Sequence, residues 1–153
     1  MSSLIHVSEA TTLALHAMTY LASYSNGRSV SARAIAEEYQ ISEAHLSKVL
    51  QRLARLGFID TQRGPHGGVR LAKPAGTITL LAIYEAVEGP LTQNTWLWNS
   101  PVCGQTCRIL GGLMERINRM AYEYLSETKL SDVAPTQGMK DTNAARRAAK
   151  SEA

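Results

Sequence analysis

The chain has 153 residues, 44% of them hydrophobic, enough to bury the core of one domain with an appendage. Its net charge is only +3, but residues 47–73 carry six cations against one acid, a local net charge of +5. These residues are Lys48, Arg52, Arg55, Arg63, Arg70 and Lys73, with Asp60 as the acid. Such an uneven charge is typical of a surface that binds nucleic acid, and a solvated basic surface is the alternative.

Two features that the sequence lacks indicate the cellular compartment. No apolar run reaches the length of a membrane span, and the N-terminus lacks the pattern of a secretion signal. We therefore expect a cytoplasmic protein with no membrane partner. The two cysteines, Cys103 and Cys107, cannot build a disulfide framework, and in a reducing compartment they are more typical of metal ligands or free thiols.

The first part of the chain predicts three helices. Apolar residues recur at threes and fours from Val7 to Ser25, the pattern of an amphipathic helix. Ser31 can cap a short helix over "ARAIAEEY", and Ser42 can cap a third helix that ends at Gly57. The break "QIS" between the last two is short, and the third helix is cationic on its outer side. These features favour a helix-turn-helix.

A β-hairpin is predicted directly after the third helix. "FIDTQR" and "VRLAK" have strand character, and "GPHGG" between them supplies residues suited to a tight turn. A phosphate-binding glycine loop would open a helix after a strand, and no helix follows within reach here. A hairpin in this place is the wing of a winged helix-turn-helix.

The remaining sequence predicts two more helices separated by a loop. "TITLLAIYEAVEG" is a short helix, and residues 91–107, with both tryptophans and both cysteines, have the low periodicity of an exposed functional loop. From Ile109 onward an apolar stripe has helical spacing: Leu113, Ile117, Met120, Ala121, Tyr124 and Leu125. We expect this stripe to pack against the same helix of a second subunit, and packing against the first helix of its own chain is the alternative.

The predicted fold class is therefore mainly α with a small β-hairpin wing (α+β): a winged helix-turn-helix plus a long C-terminal dimerisation helix. The expected organisation is a DNA-binding domain over residues 1–76 and a short helix with a cysteine-containing sensor loop over 77–107. A dimerisation helix over 108–134 and a disordered tail over 135–153 complete it.

The segment from Ile41 to Pro90 carries a family motif, L-x-x-x-G followed by R-G-P-x-G-G and then E-A-V-E-G. The motif residues are Leu53, Gly57, Phe58, Ile59, Arg63, Gly64, Pro65, Gly67, Gly68, Val69, Leu71, Ala72 and Glu85 to Gly89. On these residues the chain resembles the Rrf2 family of bacterial winged-helix regulators, from about Leu4 to Val133. The resemblance implies a homodimer with crossed C-terminal helices that binds a partly palindromic operator in double-stranded DNA, mostly as a repressor.

The winged-helix geometry selects the residues expected to contact DNA: Ser42, Ala44, Ser47, Lys48 and Arg52 on the third helix, and Arg63, His66, Gly67 and Gly68 on the wing. We expect Ala44, Ser47 and Lys48 near bases and Arg52 near phosphate, whereas Ser42 is a phosphate contact or a helix cap. Arg63 and His66 are placed to enter a minor groove, and the glycines would let the backbone approach DNA closely.

The cysteine loop is the expected sensor, because the resemblance implies that many relatives hold an iron-sulfur cluster there with three cysteines. This chain has only Cys103 and Cys107, so a 2Fe-2S cluster would need other ligands. Some relatives take a histidine or a carboxylate from the first helix of the partner subunit. His16 stands at the position of such a histidine. Thr12 occupies the position where such relatives have the carboxylate, so Glu9 is the candidate substitute in this chain.

Two other interpretations of the loop remain open. Cys103 and Cys107 could form a cluster-free thiol switch. They could also be ordinary thiols in a loop that recognises a small molecule or a protein, with Trp96 and Trp98 as apolar contacts.

Other functional classes have less support. No nucleophile with a base is evident, and the G-x-S-x-G, H-E-x-x-H and phosphate-loop motifs are absent, so we expect no enzyme. A winged-helix adaptor that binds protein instead of DNA is the other alternative, and the basic face argues against it.

Overall fold

The computed structural model describes residues 7–24, 27–64, 67–91 and 105–134. The elements in these ranges, in chain order, are α1 (Glu9–Tyr24), α2 (Ala32–Tyr39), α3 (Glu43–Arg55), β1 (Ile59–Gln62), β2 (Gly68–Leu71), a 3-10 turn (Ala75–Thr77), α4 (Leu80–Glu88), α5 (Gln105–Glu127) and α6 (Leu130–Val133). This mainly helical architecture with a two-stranded hairpin confirms the predicted fold class. Within the described ranges, no helix combines the length and apolarity that a membrane crossing needs.

The helix-turn-helix consists of α2, α3 and the turn of residues 40–42. Ser31 Oγ accepts a hydrogen bond from the Ala34 N–H at 3.1 Å, and Ser42 Oγ accepts one from the His45 N–H at 3.4 Å, so both predicted caps are confirmed. Gln40 has a left-handed backbone (φ 54°), which ends α2 and redirects the chain into α3.

Helix α3 ends in a tight closing turn in which the backbone of Gly57 is left-handed. Gly57 (φ 72°) donates its N–H to the Ala54 carbonyl at 3.0 Å, and the Phe58 N–H donates to the Leu53 carbonyl at 3.0 Å. Leu56 follows Arg55, the last residue of α3, and its side chain is 50% exposed. The closure sends the chain directly into β1.

The wing is an antiparallel pair in which Ile59 lies opposite Leu71 and Gln62 opposite Gly68. A third segment fastens it to the rest of the domain. The Val30 N–H donates to the Val69 carbonyl at 2.9 Å, and the Val69 N–H donates to the Val30 carbonyl at 2.8 Å. Because Val30 immediately precedes the cap of α2, the orientation of the hairpin is fixed relative to the helix-turn-helix.

One hydrophobic core joins α1–α4, the sheet and α6. Its largest fully buried apolar side chains are Met18, Leu21, Ile35, Leu46, Leu53, Ile83 and Leu130. The sequence did not predict α6, yet Leu130 has no exposed surface and its N–H donates to the Ile78 carbonyl at 2.8 Å. The Leu80 N–H also donates to the Thr128 carbonyl at 3.0 Å, so the chain directly after α5 is fixed to the start of α4.

Helix α5 begins at Gln105, earlier than the start predicted at residue 108. Residues 105–108 contain no helix breaker, and α5 runs through Gly111 and Gly112 although each costs about 1 kcal/mol relative to alanine. Cys107 therefore belongs to the first turns of α5. The helix packs against α4, but Leu113, Met120 and Tyr124 stay exposed. The expected disordered tail beyond residue 134 lies outside the described residues.

Candidate nucleic-acid interface

The outer face of α3 presents the side chains that were expected to meet DNA. Ala44, Lys48 and Arg52 are exposed and Ser47 is half-buried. The opposite face holds Leu46, Val49, Leu50 and Leu53, all buried in the core. The core thus fixes which side of α3 turns outward, and that side carries the polar and cationic residues.

Most of the positive charge of residues 47–73 is not paired with acids among the described residues. Asp60, the single acid of residues 47–73, lies opposite Arg70 in the sheet, and its Oδ2 is 3.4 Å from Arg70 Nη2. The other cations of the stretch form no ion pair with another described residue: Lys48, Arg52, Arg55, Arg63 and Lys73. Lys73 Nζ instead lies 5.9 Å from the centroid of the Phe58 ring. Five cations therefore remain available to a polyanion.

Arg33 on α2 contributes less to this surface. Its guanidinium Nε donates to Glu37 Oε1 at 2.8 Å, and this hydrogen bond is the main cause that raises the pKa of Arg33. A cation that is already paired within its own helix has less to gain from a phosphate.

Gly67 and Gly68 are required by the protein's own packing. A Cβ at Gly68 would overlap the Val30 carbonyl, and one at Gly67 would overlap the carbonyl oxygens of Gln62 and Gly64. From the sequence, these glycines were expected to suit a tight turn and to allow a close approach to DNA, and the approach to DNA stays a prediction. Arg63 is exposed at the end of β1, whereas His66 lies outside the described residues.

The candidate ligands on α1 face the helix-turn-helix of their own chain. Glu9 Oε1 lies 3.8 Å from His45 Nδ1, and the ring of His16 lies 4.8 Å from that of Tyr39. Glu9 and His16 are two turns apart, about 10.5 Å along the helix axis, and the structure does not bring them together.

The cysteine half of the predicted metal site is not among these contacts. Cys103 and the side chain of Cys107 lie outside the described residues. In the part of the chain that the structure describes, no three His, Cys, Asp or Glu side chains converge on a common point.

Comparison with known proteins agrees with this geometry. A sequence profile of the Rrf2 family, described as iron-dependent transcriptional regulators, matches residues 7–136. The chain belongs to the Rrf2 family. It is therefore a transcriptional regulator that binds DNA through a winged helix, a class of protein that is generally not enzymatic.

Solved structures of Rrf2 proteins have the same fold. CymR of B. subtilis, the global cysteine regulator, is 26% identical with a TM-score of 0.72, over 85% of this chain and 96% of CymR. The oxidized form of Staphylococcus aureus CymR is 25% identical with a TM-score of 0.69, over the same shares. IscR of T. potens is 23% identical with a TM-score of 0.66, over 92% of this chain and 90% of IscR, and at that identity supports the fold alone.

The structure also gives a role to the Rrf2 motif E-A-V-E-G that the sequence analysis missed. Glu88 Oε1 accepts a hydrogen bond from the Ser8 N–H at 2.9 Å and another from the hydroxyl of the fully buried Thr11. Glu85 Oε1 accepts one from the Leu91 N–H at 3.2 Å. Two acids in the last turns of a helix oppose its macrodipole, and this unfavourable placement was the available signal that they have partners elsewhere.

Proposed function

We propose that this Rrf2 regulator acts as a homodimer that represses transcription by binding a partly palindromic operator. The observation that carries the proposal is the exposed face of α3 beside five cations that have no ion-pair partner in the described structure. A wing fastened to the same domain through Val30 adds a second contact at a fixed distance from α3.

The proposed DNA contacts divide by chemistry. Ala44, Ser47 and Lys48 would face base edges, with Lys48 donating to the acceptors of guanine. Ser42 has its side chain engaged as a cap, but a hydroxyl oxygen that accepts from an N–H still has its own proton to donate to a phosphate. Arg52 would contact phosphate.

The wing supplies the remaining contacts. Arg63 and His66 would enter the minor groove, and Gly67 and Gly68 would hold the backbone close to it. The position of Arg63 directly after β1 supports its part of this proposal, because the paired strands limit how far its backbone can move.

The dimer would form through α5. Leu113, Met120 and Tyr124 lie on one side of the helix and are 49%, 71% and 60% exposed in a single chain. Such a stripe is stabilised when a second copy covers it. Residues 1–76 would then form the DNA-binding part, 77–107 the sensor part and 108–134 the dimerisation part, followed by the tail at 135–153.

The signal would enter through the cysteine loop. We propose Cys103 and Cys107 as thiolate ligands of a 2Fe-2S cluster that is completed by other protein ligands. His16 of the partner subunit is the candidate histidine, and Glu9 is the candidate carboxylate. The donor chemistry fits, since iron-sulfur clusters accept thiolate with imidazole or carboxylate, and both α1 side chains are exposed. When bound, such a cluster supplies sensitivity to iron, oxidants or electron transfer.

A cluster-free thiol switch is the second candidate. It is favoured by the existence of an oxidized form of Staphylococcus aureus CymR, a structural relative. In this chain, Cys103 and Cys107 would lose two protons and two electrons to an oxidant such as a peroxide and form a disulfide.

Lys48→Ala is expected to weaken operator binding about 5- to 150-fold, because one lysine–guanine contact is worth about 1–3 kcal/mol. Arg63→Ala is expected to reduce the slope of log affinity against log salt by about one, since a cation held in the groove between the phosphates releases about one counterion. The measurement is fluorescence anisotropy over a salt series, on a duplex of about 30 base pairs selected from a random pool by the wild-type protein.

Glu38→Gln is the control, because it changes a half-buried charge on α2, which is neither α3 nor the wing. Unchanged affinity in Lys48→Ala together with an unchanged slope in Arg63→Ala would remove this face from DNA binding. Tight, salt-insensitive binding to another protein with no affinity for any duplex would favour the adaptor.

Anaerobic purification is expected to yield a coloured protein with iron and sulfide near stoichiometry. Cys103→Ala and Cys107→Ala should lose both, and His16→Ala should lose part of the iron or shift the visible spectrum, because a thiolate contributes more to cluster binding than an imidazole. A colourless, iron-free wild type that loses two titratable thiols in peroxide would assign sensing to the disulfide.

A further inference from the structure

Two sets of contacts join the end of α4, which leads toward the cysteine loop, to the first turn of α3 through the N-terminal end of α1. The first set begins at Glu88 in the last turn of α4, just before the chain leaves through Gly89, Pro90 and Leu91 toward the loop. Glu88 accepts hydrogen bonds from the Ser8 N–H and from the Thr11 hydroxyl, and Thr11 is fully buried. The N-terminal turn of α1 is therefore fixed to the end of α4.

The second contact lies on the opposite side of the same turn. Glu9 adjoins Ser8 in the chain, and its carboxylate lies 3.8 Å from His45 Nδ1. Both side chains are mainly exposed, 74% for Glu9 and 59% for His45, so this contact is weak and easily changed. His45 also gives its N–H to Ser42 Oγ, the cap of α3, which places it in the turn that begins the DNA-reading surface.

We propose that residues 8–12, at the N-terminal end of α1, act as a positioning element that transmits the state of the cysteine loop to α3. A change at the loop that displaces Glu88 moves the hydrogen-bonded N-terminal turn of α1, and Glu9 then alters its hold on His45. The DNA-reading residues Ala44, Ser47 and Lys48 follow His45 within one turn or lie beside it. This inference rests on the proposed function, since it assumes that the loop senses and that α3 reads DNA.

The structure provides matched substitutions for a test. Glu88→Ala removes the acceptor that holds Ser8 and Thr11, whereas Glu88→Gln keeps an acceptor oxygen at that position. Glu85→Ala is the control, because Glu85 is an acid of the same helix whose described hydrogen bond goes to Leu91. Thr11→Val, which removes the hydroxyl that donates to Glu88 and also lies 3.3 Å from Ser8 Oγ, replaces Glu88→Ala if that variant fails to fold.

The experiment measures amide hydrogen exchange of the metal-free, full-length protein without DNA. Glu88→Ala is expected to increase exchange in residues 43–47 about three-fold or more, while Glu88→Gln and Glu85→Ala keep the wild-type rate there. In a Glu9→Ala background, the additional effect of Glu88→Ala on residues 43–47 should largely disappear, because the connection to His45 is already cut.

Two outcomes would overturn the proposal. One is an unchanged rate in residues 43–47 of the folded Glu88→Ala or Thr11→Val protein. The other is an effect of Glu88→Ala that persists in full in the Glu9→Ala background, which would mean that it travels through the core instead. Because exchange is measured without DNA or metal, a wild-type protein that fails to bind any duplex would refute the proposed function and leave this result standing.

Discussion

Replacing Met120 by glutamate is expected to convert the dimer into monomers and to weaken operator binding about 100-fold or more. Met120 is 71% exposed in the single chain and lies in the centre of the stripe that also contains Leu113 and Tyr124. In the proposed dimer a carboxylate there would be buried without a partner. A monomer holds one half-site, so it loses the gain in affinity of about 100-fold to 10,000-fold that joining two binding modules provides.

Light scattering coupled to size-exclusion chromatography gives the mass, and anisotropy at the same protein concentration gives the affinity. Glu115→Gln is the control, because Glu115 is on the polar side of α5 and pairs with Arg119 at 2.8 Å. A Met120→Glu protein that stays dimeric would place the subunit interface elsewhere. A wild-type protein that is already monomeric would exclude the dimer.

The local chemistry of this chain was readable from the sequence. Ser31 and Ser42 are helix caps because their side chains satisfy N–H groups only three residues away, and Gly57 ends α3 because it accepts a left-handed backbone. The spacing of Leu46, Val49, Leu50 and Leu53 fixed the inner face of α3, and hence its outer face. Each of these features depends on neighbours within about one or two helical turns, which the sequence shows directly.

The contacts that were missed join residues far apart in the chain. Glu88 binds Ser8 and Thr11 across about eighty positions, and no spacing rule connects them. Gly68 is explained by the Val30 carbonyl, which reaches it only after β2 has paired with the segment before α2. The motifs E-A-V-E-G and G-G were thus recognised as a pattern, while their physical reasons needed the tertiary structure.

The structure makes the basic stretch of residues 47–73 stronger evidence for a DNA-binding face than the sequence alone. A sequence alone does not show whether the cations of residues 47–73 form ion pairs with acids elsewhere in the fold. The strand register places Asp60, the single acid of this stretch, opposite Arg70, one of its six cations. The other five cations therefore have no ion pair with another described residue. Pairing within the wing therefore concentrates the free charge on α3 and at the end of β1, where a duplex would contact both.

Replacing Leu130 by alanine is expected to lower the free energy of unfolding by about 2–5 kcal/mol. Leu130 has no exposed surface, and its backbone is hydrogen-bonded to Ile78, so the cavity cannot easily close by moving α6. For a chain of this size the melting temperature should fall by about 10 °C, measured at one protein concentration because dimerisation also contributes to stability. The same loss of packing should loosen the end of α5 from the DNA-binding part.

Leu56→Ala is the matched control, since it removes the same atoms from a side chain that is 50% exposed, and its cost should be well below that of Leu130→Ala. Equal effects of the two substitutions would mean that Leu130 is not part of the core. Leu130→Ala could lower the melting temperature and also weaken operator binding while mass measurements still show a dimer. That result would mean that α6 also determines how the two DNA-binding parts are oriented on α5. A loss of stability with unchanged affinity would limit α6 to the core.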